Sequence, residues 1–249
     1  MPSALEFRCI VCGTKNRCES ILSRESGHCS TCGSTVRMRA AIFALSMGLY
    51  GRPLDIASFP KRPRFRGVGL SDWDGYAARL RRVLDYRNTR YDRRPALDIT
   101  AVPERERSRY DFVLSIDVFE HIPPPVGRAF EGAAALLRSG GLLVFSAPYT
   151  LDEQTVEHFP HLDTFRLAEH AGVPYLINKR RDGRLEWFDD LVFHGAEGFT
   201  LEMRLFARGD IERHLRQAGF GSVTLVDDVP EYGIVYDNAC SHTFIARRT

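Results

Sequence analysis

The chain has 249 residues, 44% of them hydrophobic and 27% charged, with a formal net charge of +2. That length holds one α/β domain with a small appendage, and the near-neutral balance gives no case for a nucleic-acid-coating surface. No apolar run approaches the ~20 residues a membrane helix needs, and the opening MPSALEFRC lacks the apolar stretch of a secretory signal, so a cytoplasmic protein without a membrane span is expected.

Five of the six cysteines fall within the first 32 residues. They read Cys9-Ile10-Val11-Cys12, then sixteen residues, then Cys29-Ser30-Thr31-Cys32. This is zinc-ribbon spacing: two residues between the sulfurs of a pair let a tight turn aim both thiolates at one centre. Gly13 and Gly33 follow the pairs and relieve the backbone where each turn closes. Four thiolates fill a tetrahedral Zn2+ and leave no open position, so the site reads as structural. Two disulfides or an iron–sulfur cluster are the alternatives, the first at odds with a reducing compartment. Cys18 and His28 are spare ligands. Arg8, Lys15, Arg17, Arg24, Arg37 and Arg39 form no dense cluster. The head is therefore expected to pack on the main domain or support the substrate side in preference to binding nucleic acid. Residues 1–45 read as the ribbon and a helix leaving it, 46–63 as a linker with Pro53, Pro60 and Pro63, and 64–249 as the main domain.

The main domain should open on a strand and a glycine loop, 64–72, containing Gly67 and Gly69, with Ser71 or Asp72 capping the next helix. Tyr76, Leu80, Val83 and Leu84 recur with helical spacing. A second strand is expected at 86–89, with no acid at its end. A third, at 95–100, contains Asp98. The apolar run 112–116 then ends at Asp117, a helical stretch follows Pro123, Pro124 and Pro125, and after Gly140-Gly141 comes a second apolar run, 142–147. Strand, acidic loop, helix, glycine turn and strand make one unit of a doubly wound sheet. An insertion at about 152–200 brings His158, His161 and His194, with Glu197 and Glu202 near the last. Such insertions build pockets over the carboxyl edge of the sheet. A helix at 210–220, then strands at 223–226 and 242–246, complete an α/β, Rossmann-like fold, mostly parallel with its last strand antiparallel.

Asp117-Val118-Phe119-Glu120-His121, the Leu137–Pro148 pattern L-x-x-G-G-x-L-x-x-x-x-P, and Leu215-Arg216-Gln217-Ala218-Gly219-Phe220 resemble class I S-adenosylmethionine-dependent methyltransferases. The head, C-x-x-C-G-S-x-x-R-x-R from Cys29, resembles that of a bacterial family joining a ribbon to such a domain. The resemblance implies S-adenosylmethionine as cofactor. It places Gly67 and Gly69 under the ribose and methionine portions and Asn88 where relatives carry a ribose-binding acid. It sets Asp98 and Ile99 against the adenine, and Asp117 and Val118 beside the sulfonium. On its own residues, Asp98 also reads as a loop cap. His158, His161 or His194 would serve as general base, or would merely order the insertion. The expected activity is methyl transfer to a small molecule or glycan. The alternatives are an RNA or protein methyltransferase guided by the ribbon, and a non-catalytic binding module.

Overall fold

The computed structural model describes residues 5–19, 23–61, 64–194, 200–240 and 242–249. Glu197 and its neighbours from 195 to 199 lie outside the described residues, as does Pro63. Strands β1 (Leu5–Arg8) and β2 (Lys15–Cys18) form a hairpin at the head. Helix α1 (Val36–Tyr50) leaves it and stops at Gly51, which takes a left-handed φ of +68°. The helix thus runs five residues past the expected boundary at 45. It is buried on nearly every side, because it lies between the head and the main sheet. Gly48 is what lets it close on the sheet: a Cβ there would stand 2.3 Å from Leu142 Cδ2.

The sheet is built from β3 (Arg66–Leu70), β4 (Asp85–Thr89), β5 (Tyr110–Ile116) and β6 (Leu137–Ser146), all parallel. Helices α2 (Asp74–Val83) and α3 (Gly127–Leu136) connect them. After an insertion come helix α4 (Arg208–Gln217), β15 (Phe220–Leu225) and β16 (Phe244–Arg248), with β16 antiparallel to both β6 and β15. The strand order is β15-β16-β6-β5-β3-β4. Both faces are covered. Phe112, Leu114, Leu142 and Val144 pack with the head, α1 and α2, while Val113, Leu143 and Phe145 pack with α3 and α4. Covering on both faces is why these strands read as continuous apolar runs, without alternation.

The insertion is a set of short strands: β7 (Tyr149–Thr150), β8 (Val156–Glu157), β9 (Thr164–His170), β10 (Val173–Lys179), β11 (Leu185–Phe188), β12 (Phe193–His194), β13 (Thr200–Leu201) and β14 (Arg204–Ala207). β9, β10 and β11 form an antiparallel meander, and β14 pairs with β7 and β8. The base of the insertion is tied down by Arg204, which is fully buried. It donates to Glu157 at 2.7 Å and to the carbonyls of Phe119 and Ile122.

Three sequence expectations need correction. The third strand, 95–100, does not form: one bridge, Arg90 to Ala96, precedes a 3-10 turn at Ile99–Ala101. Asp98 caps that turn, accepting from the Thr100 amide at 2.8 Å and hydroxyl at 2.7 Å, a geometry that outcompetes the ladder. Gly140-Gly141 lies within β6 and not ahead of it. Pairing with β5 jumps from Leu137 to Leu142, and Gly140 at φ +73° carries the resulting bulge. Neither Ser71 nor Asp72 caps α2; that position is Trp73. No helix among the described residues is long and apolar enough to cross a membrane.

Candidate functional site

The carboxyl ends of β3, β4, β5 and β6 open on a cleft of about 1450 Å3, where doubly wound sheets hold ligands. Ser71 after β3 and Asp117 after β5 take left-handed φ values of +58° and +55°. Such conformations cost a non-glycine residue about 1–3 kcal/mol and cluster where strand ends are shaped for ligands. Asp98, Ile99, Asp117 and Val118 line the cleft. Leu70, Trp73, Tyr91 and Asp92 line it too; Asp92, three residues past the end of β4, is an acid that strand-end reasoning overlooks.

Gly67, Gly69 and Asn88 do not line it. Gly67 sits inside β3, and the space of its missing side chain is filled by the Phe112 ring, 1.9 Å from where a Cβ would be. At Gly69 a Cβ would fall 1.9 Å from the Tyr86 hydroxyl and 2.0 Å from Asp72 Oδ2. These glycines therefore make room for the protein's own side chains. Asn88, expected at the ribose, spends its amide on the backbone of Asp72, accepting from its N–H at 3.0 Å and donating to its carbonyl at 2.9 Å. That clasp sets the turn after β3, which no third glycine shapes.

Asp72 is the buried member of this group. Tyr76 donates to it at 2.7 Å, and Tyr86 donates to its other oxygen. Burial, opposed by those two hydroxyls, pushes its carboxyl from 3.8 up to about 7. A carboxyl raised in the fold contributes stability that is complete below its ordinary value and lost as pH rises through the folded one. The margin of the wild type over Asp72→Asn is therefore expected to shrink between about pH 5 and about pH 8. Thermal melts of both chains check this; a constant margin would show the group already ionised in the fold at the lower pH.

Asp117 is held from three sides. Ser146 Oγ donates to Oδ1 at 2.9 Å, while Arg24 donates to Oδ2 and Arg37 Nε stands 3.2 Å from it. Glu120, three residues on, is 2% exposed, and its Oε2 has no hydrogen-bond partner among the described residues. Burial and the neighbouring Asp117 hold the Glu120 carboxyl well above the usual carboxylate range. Burial also lowers His121, whose Nδ1 lies 2.9 Å from the Leu201 carbonyl.

The three candidate histidines part company. Glu202 sits between two of them: its Oε1 is 2.8 Å from His158 Nε2, and its Oε2 is 2.7 Å from His194 Nε2. His194 lines the cleft, with its ring 5.7 Å from that of His121. His161 is exposed and joins neither; among the described residues its carbonyl accepts from Asn178 at 2.9 Å. His161 is thus not brought to the cleft with His194. Nothing in the local sequence pairs His158 with His194, since Glu202 arrives from β13 and its following turn.

At the head, the sulfurs of Cys9, Cys12, Cys29 and Cys32 all lie within 4.8 Å of one another. Cys12 and Cys29 are 3.6 Å apart, Cys9 and Cys32 3.7 Å. Four sulfurs ~2.3 Å from a tetrahedral zinc stand about 3.8 Å apart, so the quartet fits that ion. It does not fit disulfides, whose sulfurs bond at ~2.05 Å. Burial pushes the Cys9 thiol up. At Cys29 burial is outweighed by the Cys32 and Thr31 amides, which bring the thiol down to about 6.

A methyltransferase-domain family model matches residues 57–225. Among solved structures, 1,6-didemethyltoxoflavin-N1-methyltransferase of Burkholderia thailandensis is 16% identical over 86% of this chain and 78% of its own, with a TM-score of 0.47. The sugar N-methyltransferase KedS8 of a Streptoalloteichus species is 14% identical over 84% and 87%, with a TM-score of 0.45. DesVI of Streptomyces venezuelae is 11% identical over 84% and 92%, with a TM-score of 0.46. No curated protein matches the chain.

Proposed function

This chain belongs to the methyltransferase-domain family, and we propose that it transfers a methyl group from S-adenosylmethionine to a small molecule or glycan held under its insertion. The observation that carries this is the cleft itself: about 1450 Å3 at the tips of four parallel strands. Single drug-sized ligands fill ~300–1,000 Å3, which leaves room here for a donor and a small acceptor together. The residues present fit the donor in part. Ile99 and Val118 offer apolar faces, Asp98 an acceptor for an exocyclic amine, and Asp92 a carboxylate for hydroxyls, in place of Asn88, whose amide is bonded to the Asp72 backbone. Bound S-adenosylmethionine would supply the methyl on a positively charged sulfur. The protein's work is then to align the acceptor for in-line displacement and to take up a proton. His194 lines the cleft, its Nε2 close to Glu202 at 2.7 Å but without a hydrogen bond among the described residues, and its imidazole is the group to receive that proton. His158, on the far oxygen of Glu202, is a positioning residue.

The head supports this reading against an RNA substrate. Of its six basic residues, Arg24 and Arg37 turn into the cleft, Arg39 is fully buried and Arg8 pairs with Asp55 at 2.9 Å. Lys15 and Arg17 are left exposed, too few for a phosphate-binding surface. Zn2+ on Cys9, Cys12, Cys29 and Cys32 belongs to the same proposal, as the structural core of the head.

Calorimetric titration of the purified chain tests the function. S-adenosylmethionine and S-adenosylhomocysteine are both expected to bind with dissociation constants on the order of micromolar. A chain that takes up neither overturns the enzyme reading and leaves a binding module that retains only the fold.

A further inference from the structure

The head reaches the strand tips of the main sheet. Arg24 comes from the loop between the cysteine pairs and Arg37 from the first turn of α1. The two are registered to each other by the backbone, since the Arg37 amide donates to the Arg24 carbonyl at 2.9 Å. Arg39, two residues on and fully buried, fixes the same loop. Its guanidinium donates to the carbonyls of Gly27 at 2.8 Å, of Ser34, and of Gly233 at 2.7 Å in the main domain, while stacking 4.5 Å from the Phe7 ring centroid. The two arginines leave this frame side by side and meet on Asp117, 93 positions from Arg24. Glu25 closes the group, taking Arg37 Nη2 at 3.1 Å and standing 3.6 Å from Arg24 Nε. Two cations and two anions thus share the near wall of the cleft, with Arg24, Asp117 and Arg37 only 15%, 17% and 21% exposed.

We infer that Arg24 and Arg37 are positioning residues of the ligand site: they hold the Asp117 carboxylate in place, so the cysteine-rich head is one wall of the active cleft and not an independent recognition module. The physical need is plain. Asp117 sits in a left-handed backbone conformation beside the buried Glu120. A carboxylate only 17% exposed needs a compensating charge, and among the described residues the main domain directs no cation at Asp117, so Arg24 and Arg37 of the head supply it. Without the arginines, Asp117 would swing toward solvent, which means into the cleft.

The inference rests on the donor reading above, and the test separates the two. S-adenosylhomocysteine is the probe, because it lacks the sulfonium charge and so reports the shape of the site and not a change in its potential. Arg24→Gln is expected to weaken its binding roughly tenfold in calorimetry. Arg24→Lys, keeping the charge, should recover part of that loss. Asp117→Asn should weaken binding similarly, and Arg24→Gln added to Asp117→Asn should weaken it no further, since the arginine acts through that carboxylate. Losses that multiply in the double variant indicate a merely structural role and overturn the inference, as does undiminished binding by Arg24→Gln. A wild-type chain that binds no S-adenosylhomocysteine overturns the donor reading and this inference with it.

Discussion

If the head carries the proposed zinc, a strong chelator is expected to lower the melting temperature of the full chain by more than ~10 °C and to abolish S-adenosylhomocysteine binding. A two-stranded hairpin such as β1 and β2 is marginal by itself in water. Two pairs of its sulfurs stand 3.6 and 3.7 Å apart, with two of the four cysteines buried, a spacing that suits four thiolates sharing one cation. Structural zinc contributes ~10–16 kcal/mol of apparent binding energy in isolated fingers, and that energy is folding energy. Here the effect spreads, because Phe7, Cys9, Ile10 and Val11 belong to the same buried cluster as α1 and the sheet face carrying Phe112, Leu114 and Val144. Losing the head uncovers that face and withdraws Arg24 and Arg37 from Asp117. Cys12→Ser should reproduce the chelated state, and zinc returned to the chelated wild type should restore both melt and binding. Metal analysis that finds no zinc in a chain of unchanged melting temperature would refute the assignment.

What the sequence discloses depends on how local its physical cause is. Strands β5 and β6 are legible because burial on both faces leaves unbroken apolar runs, and the cysteine quartet is legible because ligand spacing is a local constraint. The failures are long-range or arise where two local preferences compete. Residues 95–100 look like a strand, but an aspartate able to bond the amide two positions on favours a turn, and Asp98 makes that bond. Asn88 and Asp72 both depart from their expected roles, because an amide at the end of β4 fits the backbone after β3, while the Asp72 carboxyl finds two tyrosines below. Neither partner is visible from the other's neighbourhood. Arg24 and Arg37 carry no signal at all, since their partner is supplied by the end of β5. In the sequence the three histidines share only the insertion, whereas the fold brings His158 and His194 to Glu202 and leaves His161 outside.

Gly132→Ala is expected to destabilise the chain by about 2–3 kcal/mol, a fall in melting temperature of roughly 5–10 °C. Ordinarily alanine inside a helix is an improvement worth ~1 kcal/mol. At Gly132, however, α3 presses directly on the turn that begins at Ile99, and an added Cβ would stand 1.8 Å from the Ile99 carbonyl oxygen and 3.0 Å from its carbon. Those atoms are backbone, so no rotamer change relieves the overlap; either the helix or the turn must move. Gly209, in the first turn of α4, has nothing within 4 Å of the same added atom, so Gly209→Ala should stabilise by ~0.5–1 kcal/mol and serves as the opposite-sign control. The turn under Gly132 also carries Asp98 and Ile99 into the cleft. If that turn is what gives, Gly132→Ala should weaken S-adenosylhomocysteine binding roughly tenfold at temperatures where the variant is still fully folded. Denaturant melts and calorimetry on the two glycine variants read the two effects separately. A Gly132→Ala chain as stable as wild type would show that the close approach of α3 to Ile99 is not a feature of the folded protein, whereas lost stability with intact binding would show that α3 yields and the floor of the cleft does not.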